Sequence, residues 1–263
     1  MVDKINMSEK IFIKNRKDQK ISVKIDIQKP QKGLAFVMHG LGGSTNQPHI
    51  QTFTKAFIDS KITTIFFDTT NSTGESDGNL EDATLTNYYE DLEDVLEWAK
   101  TQQWYQEPFW LAGHSLGAIS TALYAEKYPT KIKALAPIST VVSGELSKEA
   151  HSKKELDEWE KNGIREWEST NNPGLIKRLK WSHFIDRLKY DLIPNINKLT
   201  MPVLMIVGSE DTSTPVKHQE LMFKFLPGKK ELHIIKGSPH TFREQDHLNQ
   251  IYKIFTDWIQ KNA

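Results

Sequence analysis

The sequence predicts an α/β fold in which a mostly parallel central sheet carries helices on both faces. Short apolar runs, mostly bounded by Gly, Pro, Asp or Asn, recur along the chain and suit strands that are buried on both faces. Segments with helical periodicity lie between these runs, and the 263 residues suffice for one large domain or one domain with an insertion. The predicted buried strands are 34–38, 62–67, 109–112, 132–136, 203–207 and 232–235.

The first two segments predict strands of a different kind. Residues 10–14 and 21–27 alternate apolar and polar side chains, and the polar stretch 15–19 separates them. Such alternation is typical of strands with one buried and one solvated face. We therefore expect a half-buried antiparallel hairpin ahead of the parallel strands.

Four segments have helical patterns. Residues 88–99 place apolar side chains on one face and acidic ones on the rest, which indicates a solvated acidic surface. A proline ends the predicted helix 116–128, and another proline precedes the predicted helix 216–226. The last segment, 242–260, has an apolar stripe made of Leu248, Ile251, Tyr252, Phe255, Trp258 and Ile259.

One region interrupts the alternation of strands and helices. Residues 142–191 are charged and helical in pattern, contain no predicted strand, and hold the helix breaker 171–174 (NNPG). Helices inserted between strands of such a sheet commonly cover its carboxyl edge, where ligands bind. We therefore expect a helical lid over 142–191 between core segments 1–141 and 192–263. Its Trp159, Trp167 and Trp181 either pack the lid onto the core or contact substrate.

Composition excludes several classes of protein. The 34 basic and 34 acidic residues cancel, so no basic field favours a nucleic-acid partner. The absence of cysteine excludes disulfides and a cysteine nucleophile. No apolar run approaches the ~18 residues of a transmembrane helix, and residues 1–6 lack the apolar segment of a secretory signal, so we expect a cytoplasmic protein. No metal or nucleotide motif is present, and no cofactor is expected.

The strongest motif is Gly-x-Ser-x-Gly at 113–117 (GHSLG). It directly follows a predicted strand and opens a helix of small residues, which is the context that a serine nucleophile on a sharp turn requires. Glycines are needed two residues on either side because side chains there would collide. Ser115 is therefore the candidate nucleophile, and the alternative is a tight turn with an incidental serine.

A serine nucleophile needs a base and a group that orients the base. His240 lies in a loop between the last predicted strand and the last predicted helix, whereas the other histidines lie in a strand, in helices or in the lid. Asp211 follows the strand 203–207, with Glu210 as the near competitor. In this architecture the order along the chain is Ser, acid, His. Alternatively, His240 could be a helix cap and Asp211 a solvated acid in a turn.

The loop 38–44 (MHGLGGS) offers backbone N–H donors for the oxyanion of a tetrahedral intermediate. One donor is expected from Leu41 in this loop and one from Leu116, the residue after the nucleophile. Alternatively, a glycine-rich loop after a strand can cradle phosphate. This one does not complete G-x-G-x-x-G, because Thr45 occupies the position of the last glycine.

Over about 33–258 the sequence resembles serine esterases of the α/β-hydrolase superfamily with a helical lid, such as cinnamoyl (feruloyl) esterases and monoacylglycerol lipase-like enzymes. The resemblance implies a triad of Ser115, Asp211 and His240 and an oxyanion hole formed by Leu41 and Leu116. Residues 69–73 depart from a basic, glycine-containing turn that is common in relatives, and Ala118 replaces a frequent glycine. The matching segments are 39–43, 67–68 with 74–78, 113–117, 202–211 with Pro215, and 239–240.

The residues and the resemblance together predict hydrolysis of a small-molecule carboxylic ester with a short-chain or aromatic acyl group, by a monomer or homodimer. A thioesterase, an amidase or a carbon–carbon hydrolase could use the same triad. A binding protein could keep the fold without turnover.

Overall fold

The computed structural model describes residues 9–168, 174 and 176–263, so residues 1–6 and part of the 171–174 breaker lie outside it. The described residues form ten strands and seven α-helices. The strands are β1 (Glu9–Lys14), β2 (Lys20–Asp26), β3 (Gly33–Met38), β4 (Ile62–Asp68), β5 (Phe109–His114), β6 (Ile132–Ile138), β7 (Ile164–Glu168), β8 (Ile176–Lys180), β9 (Val203–Gly208) and β10 (Lys230–Ile235). The helices are α1 (Pro48–Asp59), α2 (Leu85–Ala99), α3 (Leu116–Lys127), α4 (Lys153–Asn162), α5 (Trp181–Arg187), α6 (Val216–Phe225) and α7 (Gln245–Asn262).

Eight strands form one sheet in the order β1-β2-β4-β3-β5-β6-β9-β10. Pairing is parallel from β4 through β10, and β2 runs antiparallel to both β1 and β4. The predicted mostly parallel sheet and its antiparallel entry hairpin are therefore confirmed. Because the six strands from β4 to β10 in this order pair in parallel, the loops that follow them meet at a single carboxyl edge.

Helices cover both faces of the sheet. On one face α1 packs against α7, where the Phe53 ring stacks on Phe255 with centroids 4.8 Å apart. On the other face α2 packs against α3, and the predicted apolar stripe of α2 is buried. Helix α1 was not predicted from the sequence, although Pro48 stands in its first turn and its apolar residues face the core. No helix in the described ranges is long and apolar enough to cross a membrane.

The insertion (residues 142–191) lies between β6 and β9 and differs from the prediction. It contains the helices α4 and α5, but also an antiparallel hairpin of β7 and β8, so the expectation that it holds no strand was wrong. The hairpin alternates half-buried Arg165 and Trp167 with exposed Glu166 and Glu168. The two-residue period was concealed because charged side chains lie on both faces of β7, Arg165 on one and Glu166 and Glu168 on the other. Gly163, in a left-handed conformation, ends α4 and starts the hairpin.

Candidate active site

Three polar side chains that are far apart in sequence meet at the carboxyl edge of the sheet. Ser115 follows β5, Asp211 lies in the loop after β9, and His240 lies in the loop after β10. Each of these strands carries its residue to the same edge because the strands are parallel. The topology therefore brings together the three residues that sequence reasoning selected.

Ser115 occupies a strained turn between β5 and α3. Its φ of 55° and ψ of −113° are unfavourable for a residue with a side chain. A Cβ on Gly113 would lie 2.5 Å from the carbonyl O of Gly117, and a Cβ on Gly117 would lie 2.4 Å from the carbonyl O of His39. The two glycines thus let the strand, the helix and the neighbouring loop approach closely enough to hold Ser115 at the edge.

The three side chains form a continuous chain of hydrogen bonds. Oγ of Ser115 lies 3.0 Å from Nε2 of His240, and Nδ1 of His240 lies 2.9 Å from Oδ2 of Asp211. Because a carboxylate only accepts, Nδ1 of His240 donates and Nε2 is left to accept the hydroxyl proton of Ser115. The imidazole is therefore oriented to receive a proton from the serine.

Asp211 is buried and held in its ionised form. Its Oδ1 accepts the backbone N–H groups of Ser213 and Thr214 at 2.9 and 2.8 Å. Burial alone would raise the pKa of Asp211, but the hydrogen bonds from His240 and Thr214 hold it well below its ordinary value. Its competitor Glu210 is exposed. Asp211 is thus the acid that faces the histidine.

His114, inside the motif, supports the loop that carries His240. Its Nε2 donates to the carbonyl O of His240 at 2.9 Å, and the two rings lie 4.8 Å apart. Burial, together with repulsion by His240, lowers the pKa of His114 to about 3. His114 is therefore neutral at pH 7 and fixes the backbone of His240 without adding charge to the site.

The loop between β3 and α1 packs directly on Ser115. A Cβ on Gly40 would lie 3.0 Å from Cβ of Ser115. The carbonyl O of Gly40 accepts from Nδ1 of His39 at 2.8 Å and from the hydroxyl of Tyr88 at 3.2 Å. Since a peptide is planar and trans, fixing this carbonyl also fixes the opposed N–H of Leu41. Leu116 begins α3, where the first N–H groups lack partners within the helix.

The predicted tryptophans cluster within the insertion. Trp159 is buried and donates Nε1–H to the carbonyl O of Leu179, and its ring lies 5.4 Å from Trp181. Trp167 and Trp181 are half-buried. Trp159 therefore packs within the insertion, and a contact of any of the three tryptophans with substrate stays a prediction.

Two residues of the site were missed by sequence reasoning. The hydroxyl of Thr214 lies 2.9 Å from Oδ2 of Asp211 and 3.0 Å from the carbonyl O of Ser139, so it ties the acid to the loop after β6. Tyr88, which contacts Gly40, was assigned only to the apolar face of a helix. A tyrosine on such a face signals a hydroxyl that needs a partner, and Thr214 lies close enough to Asp211 in sequence to suggest a local contact.

Chemically, the arrangement places a serine hydroxyl beside an imidazole that is held by a buried carboxylate. In the part of the chain that the structure describes, no group of three or more His, Asp or Glu side chains converges as metal ligands would.

Solved structures similar to this chain share its fold. Est1E from Butyrivibrio proteoclasticus with bound ferulic acid has a TM-score of 0.81 and 22% identity, covering 96% of this chain and 98% of that one. Alpha/beta hydrolase domain-containing protein 10 from mouse has a TM-score of 0.79 and 20% identity, covering 97% and 100%. A search of curated proteins gave no match.

A family description matches the sequence itself. The model described as Hydrolase_4, serine aminopeptidase, S33, matches residues 29–193, which is more than half of the chain. This match and the shared fold confirm the α/β-hydrolase resemblance that the motifs predict. The chain belongs to the Hydrolase_4 (serine aminopeptidase, S33) family of α/β-hydrolases.

Proposed function

We propose that this protein is a serine esterase that cleaves small carboxylic esters through an acyl-enzyme. The observation that carries the proposal is the hydrogen-bonded series of Ser115, His240 and Asp211, with Ser115 on a strained turn. Strain that the surroundings maintain at a half-buried serine is typical of a catalytic nucleophile.

In the proposed mechanism Oγ of Ser115 attacks the ester carbonyl carbon while Nε2 of His240 takes the hydroxyl proton. Asp211 keeps Nδ1 protonated and stabilises the imidazolium that forms. The tetrahedral intermediate collapses as His240 returns the proton to the leaving alcohol. Water, activated by the same histidine, then attacks the acyl-enzyme and releases the carboxylic acid.

We assign the backbone N–H groups of Leu41 and Leu116 to the oxyanion of both tetrahedral intermediates. The assignment of Leu41 is supported by its loop, which packs on Ser115. The assignment of Leu116 is supported by its place at the start of α3, where the positive end of the helix dipole favours a developing negative charge. One donor of this kind is typically worth a factor of ~10²–10³ in rate.

We assign a lid role to the insertion and a short-chain or aromatic acyl group to the substrate. The insertion reaches the loop between β3 and α1, where Nζ of Lys177 donates to the carbonyl O of Gly42 at 2.7 Å. Its half-buried Trp167 and Trp181 supply aromatic surface. The similar Est1E holds ferulic acid, an aromatic carboxylic acid, which is the product class that we propose here.

A panel of p-nitrophenyl and aryl esters, graded by acyl length and aromaticity, tests this function. Thioesters and aminoacyl amides belong in the panel, because the family description names an aminopeptidase. We expect the wild type to turn over short or aromatic esters and Ser115→Ala to lose this turnover with unchanged circular dichroism. Retained turnover in the variant, or a preference for amides, would overturn the proposal.

A further inference from the structure

The hairpin of the insertion has one face whose cations are paired with acids and one face whose cations are not. Residues opposite each other in an antiparallel pair share a face, and Glu166 pairs with Arg178 while Arg165 pairs with Leu179. On the exposed face, Nε of Arg178 lies 2.9 Å from Oε1 of Glu166. On the other face, Arg165 and Lys177 form no ion pair with any residue that the structure describes.

The face with unpaired cations is turned towards the candidate active site. Nζ of Lys177 donates to the carbonyl O of Gly42, in the loop whose Gly40 packs on Ser115. Leu179, on the same face, is buried. This surface of the hairpin therefore reaches the loop after β3, at the carboxyl edge of the sheet.

A third cation, Arg187 on α5, lies beside this face. Its Nε and Nη2 are shielded from solvent and have no hydrogen-bond partner among the described residues. Burial, together with repulsion by Arg165, lowers the pKa of Arg187 to about 10. The same two causes, burial first, lower the pKa of His151 to about 4, so this histidine adds no charge at pH 7.

Nearby acids do not neutralise the three cations. Glu155 favours the charge of Arg165 but makes no ion pair with it, and its Oε2 already accepts from the backbone N–H and the hydroxyl of Ser152 at 2.7 and 2.8 Å. The sequence of 169–175 contains no Asp or Glu. A buried guanidinium without a counterion is destabilising, and a bound anion would remove that cost.

Aromatic contacts leave the arginines available to a ligand. The Arg165 guanidinium lies 5.1 Å from the Trp159 ring and 5.0 Å from the Trp167 ring, and Arg187 lies 5.4 Å from Phe184. Nη1 of Arg165 also donates to Nδ1 of His151 at 3.3 Å. Stacking engages the face of a guanidinium and leaves the remaining N–H groups at its edge, which match a carboxylate in geometry.

We propose that Arg165, Lys177 and Arg187 form a carboxylate site, so that the substrate is an ester carrying a carboxylate away from its scissile carbonyl. A half-ester of a dicarboxylic acid has this chemistry. The location of the scissile bond rests on the proposed function of Ser115, whereas the anion site can be measured without turnover.

Matched substrates test the proposal. The first pair is 4-nitrophenyl hydrogen glutarate and 4-nitrophenyl 5-methylhexanoate, and the second is 4-carboxyphenyl acetate and 4-carbamoylphenyl acetate. In at least one pair, we expect kcat/KM of the wild type to be about tenfold or more higher for the anionic ester than for the neutral one. A ratio of this size corresponds to one hydrogen bond to a charged group. Equal or better use of the neutral ester in both pairs would overturn the proposal.

Variants assign the preference to these residues. Arg187→Gln and Arg165→Gln should each lower the ratio of anionic to neutral kcat/KM by about tenfold, and Arg187→Lys should restore part of it. Arg178→Gln, on the paired face, is the matched control and should leave the ratio unchanged. An equal loss of both activities in Arg187→Gln would indicate that the arginine only packs the insertion.

Calorimetry with glutarate gives a reading that needs no turnover and no variant. We expect the wild type to bind glutarate and not isopropanol, a neutral analogue of its end group. Absence of glutarate binding contradicts the anion site even if esters are hydrolysed. Labelling of Ser115 by a neutral fluorophosphonate, run in parallel, tests the hydrolase itself, so failure of one proposal is distinguishable from failure of the other.

Discussion

Nδ1 of His240 lies 2.9 Å from Oδ2 of Asp211, and this contact decides which ring nitrogen faces Ser115. Without the carboxylate, either tautomer of the neutral imidazole would be accessible, and only one of them accepts the serine proton. The position of the Asp211 carboxylate therefore leaves Nε2 of His240 as the proton acceptor that faces Ser115.

Replacement of Asp211 by Asn should lower kcat by a factor of up to about 10⁴, because an amide can stabilise the wrong tautomer of His240. Glu210→Gln is the matched control. Glu210 is exposed, and we expect its replacement to change kcat by less than about threefold. Steady-state kinetics on one activated ester measures both variants. A larger loss in Glu210→Gln would mean that the acid has been assigned wrongly.

Tyr88→Phe should lower kcat by roughly 2–10-fold with little change in KM, a loss that corresponds to one hydrogen bond. The substitution keeps the buried ring and removes only the hydroxyl that donates to the carbonyl O of Gly40. The peptide between Gly40 and Leu41 then loses one of three hydrogen bonds to its carbonyl O, and those from His39 and from the backbone N–H of Gly43 remain. A raised KM at constant kcat would instead place Tyr88 in substrate binding.

Gly117→Ala should destabilise the fold by about 1–3 kcal/mol and reduce activity, since the new methyl group would lie 2.4 Å from the carbonyl O of His39. Gly33→Ala is the matched control. Its nearest neighbour would be 3.4 Å away, an ordinary contact far from the site. Thermal unfolding of both variants measures the difference, and equal melting temperatures would contradict the steric argument.

Much of this architecture could be read from the sequence, and the exceptions have physical reasons. The buried strands were found because both of their faces are apolar, and Ser115, Asp211 and His240 because parallel strands bring their loops together. The hairpin of the insertion was missed because its charged residues conceal the alternation of Arg165 and Trp167 with exposed glutamates.

Contacts between distant segments could not be read in this way. The hydroxyl of Tyr88 reaches Gly40 across the gap between a helix and a loop, and Lys177 reaches Gly42 from the insertion. Nothing in the local sequence of either residue specifies its partner. Only the packing of the elements determines these contacts.

Glu126→Gln tests how a buried acid outside the site couples stability to pH. Burial raises the pKa of Glu126 from 4.5 to about 8, and its Oε1 has no partner among the described residues. Protonation of Glu126 therefore favours the folded state. The contribution of this group to the free energy of unfolding is greatest below pH 4.5 and is lost as the pH rises through about 8.

The glutamine variant lacks this dependence. The difference in melting temperature between the variant and the wild type should shift by a few degrees in favour of the variant from pH 5 to pH 8. Above pH 8 this difference should stay constant. Calorimetry across this range measures the gain. A constant difference at every pH would show that Glu126 is ionised in the folded protein.

Reaction with a fluorophosphonate, followed by peptide mass spectrometry, tests the central claim most directly. An activated serine reacts with this probe, whereas an ordinary surface serine does not. We predict one adduct, located on Ser115, which disappears in His240→Ala. An unlabelled wild type, or an adduct on another residue, would contradict the account.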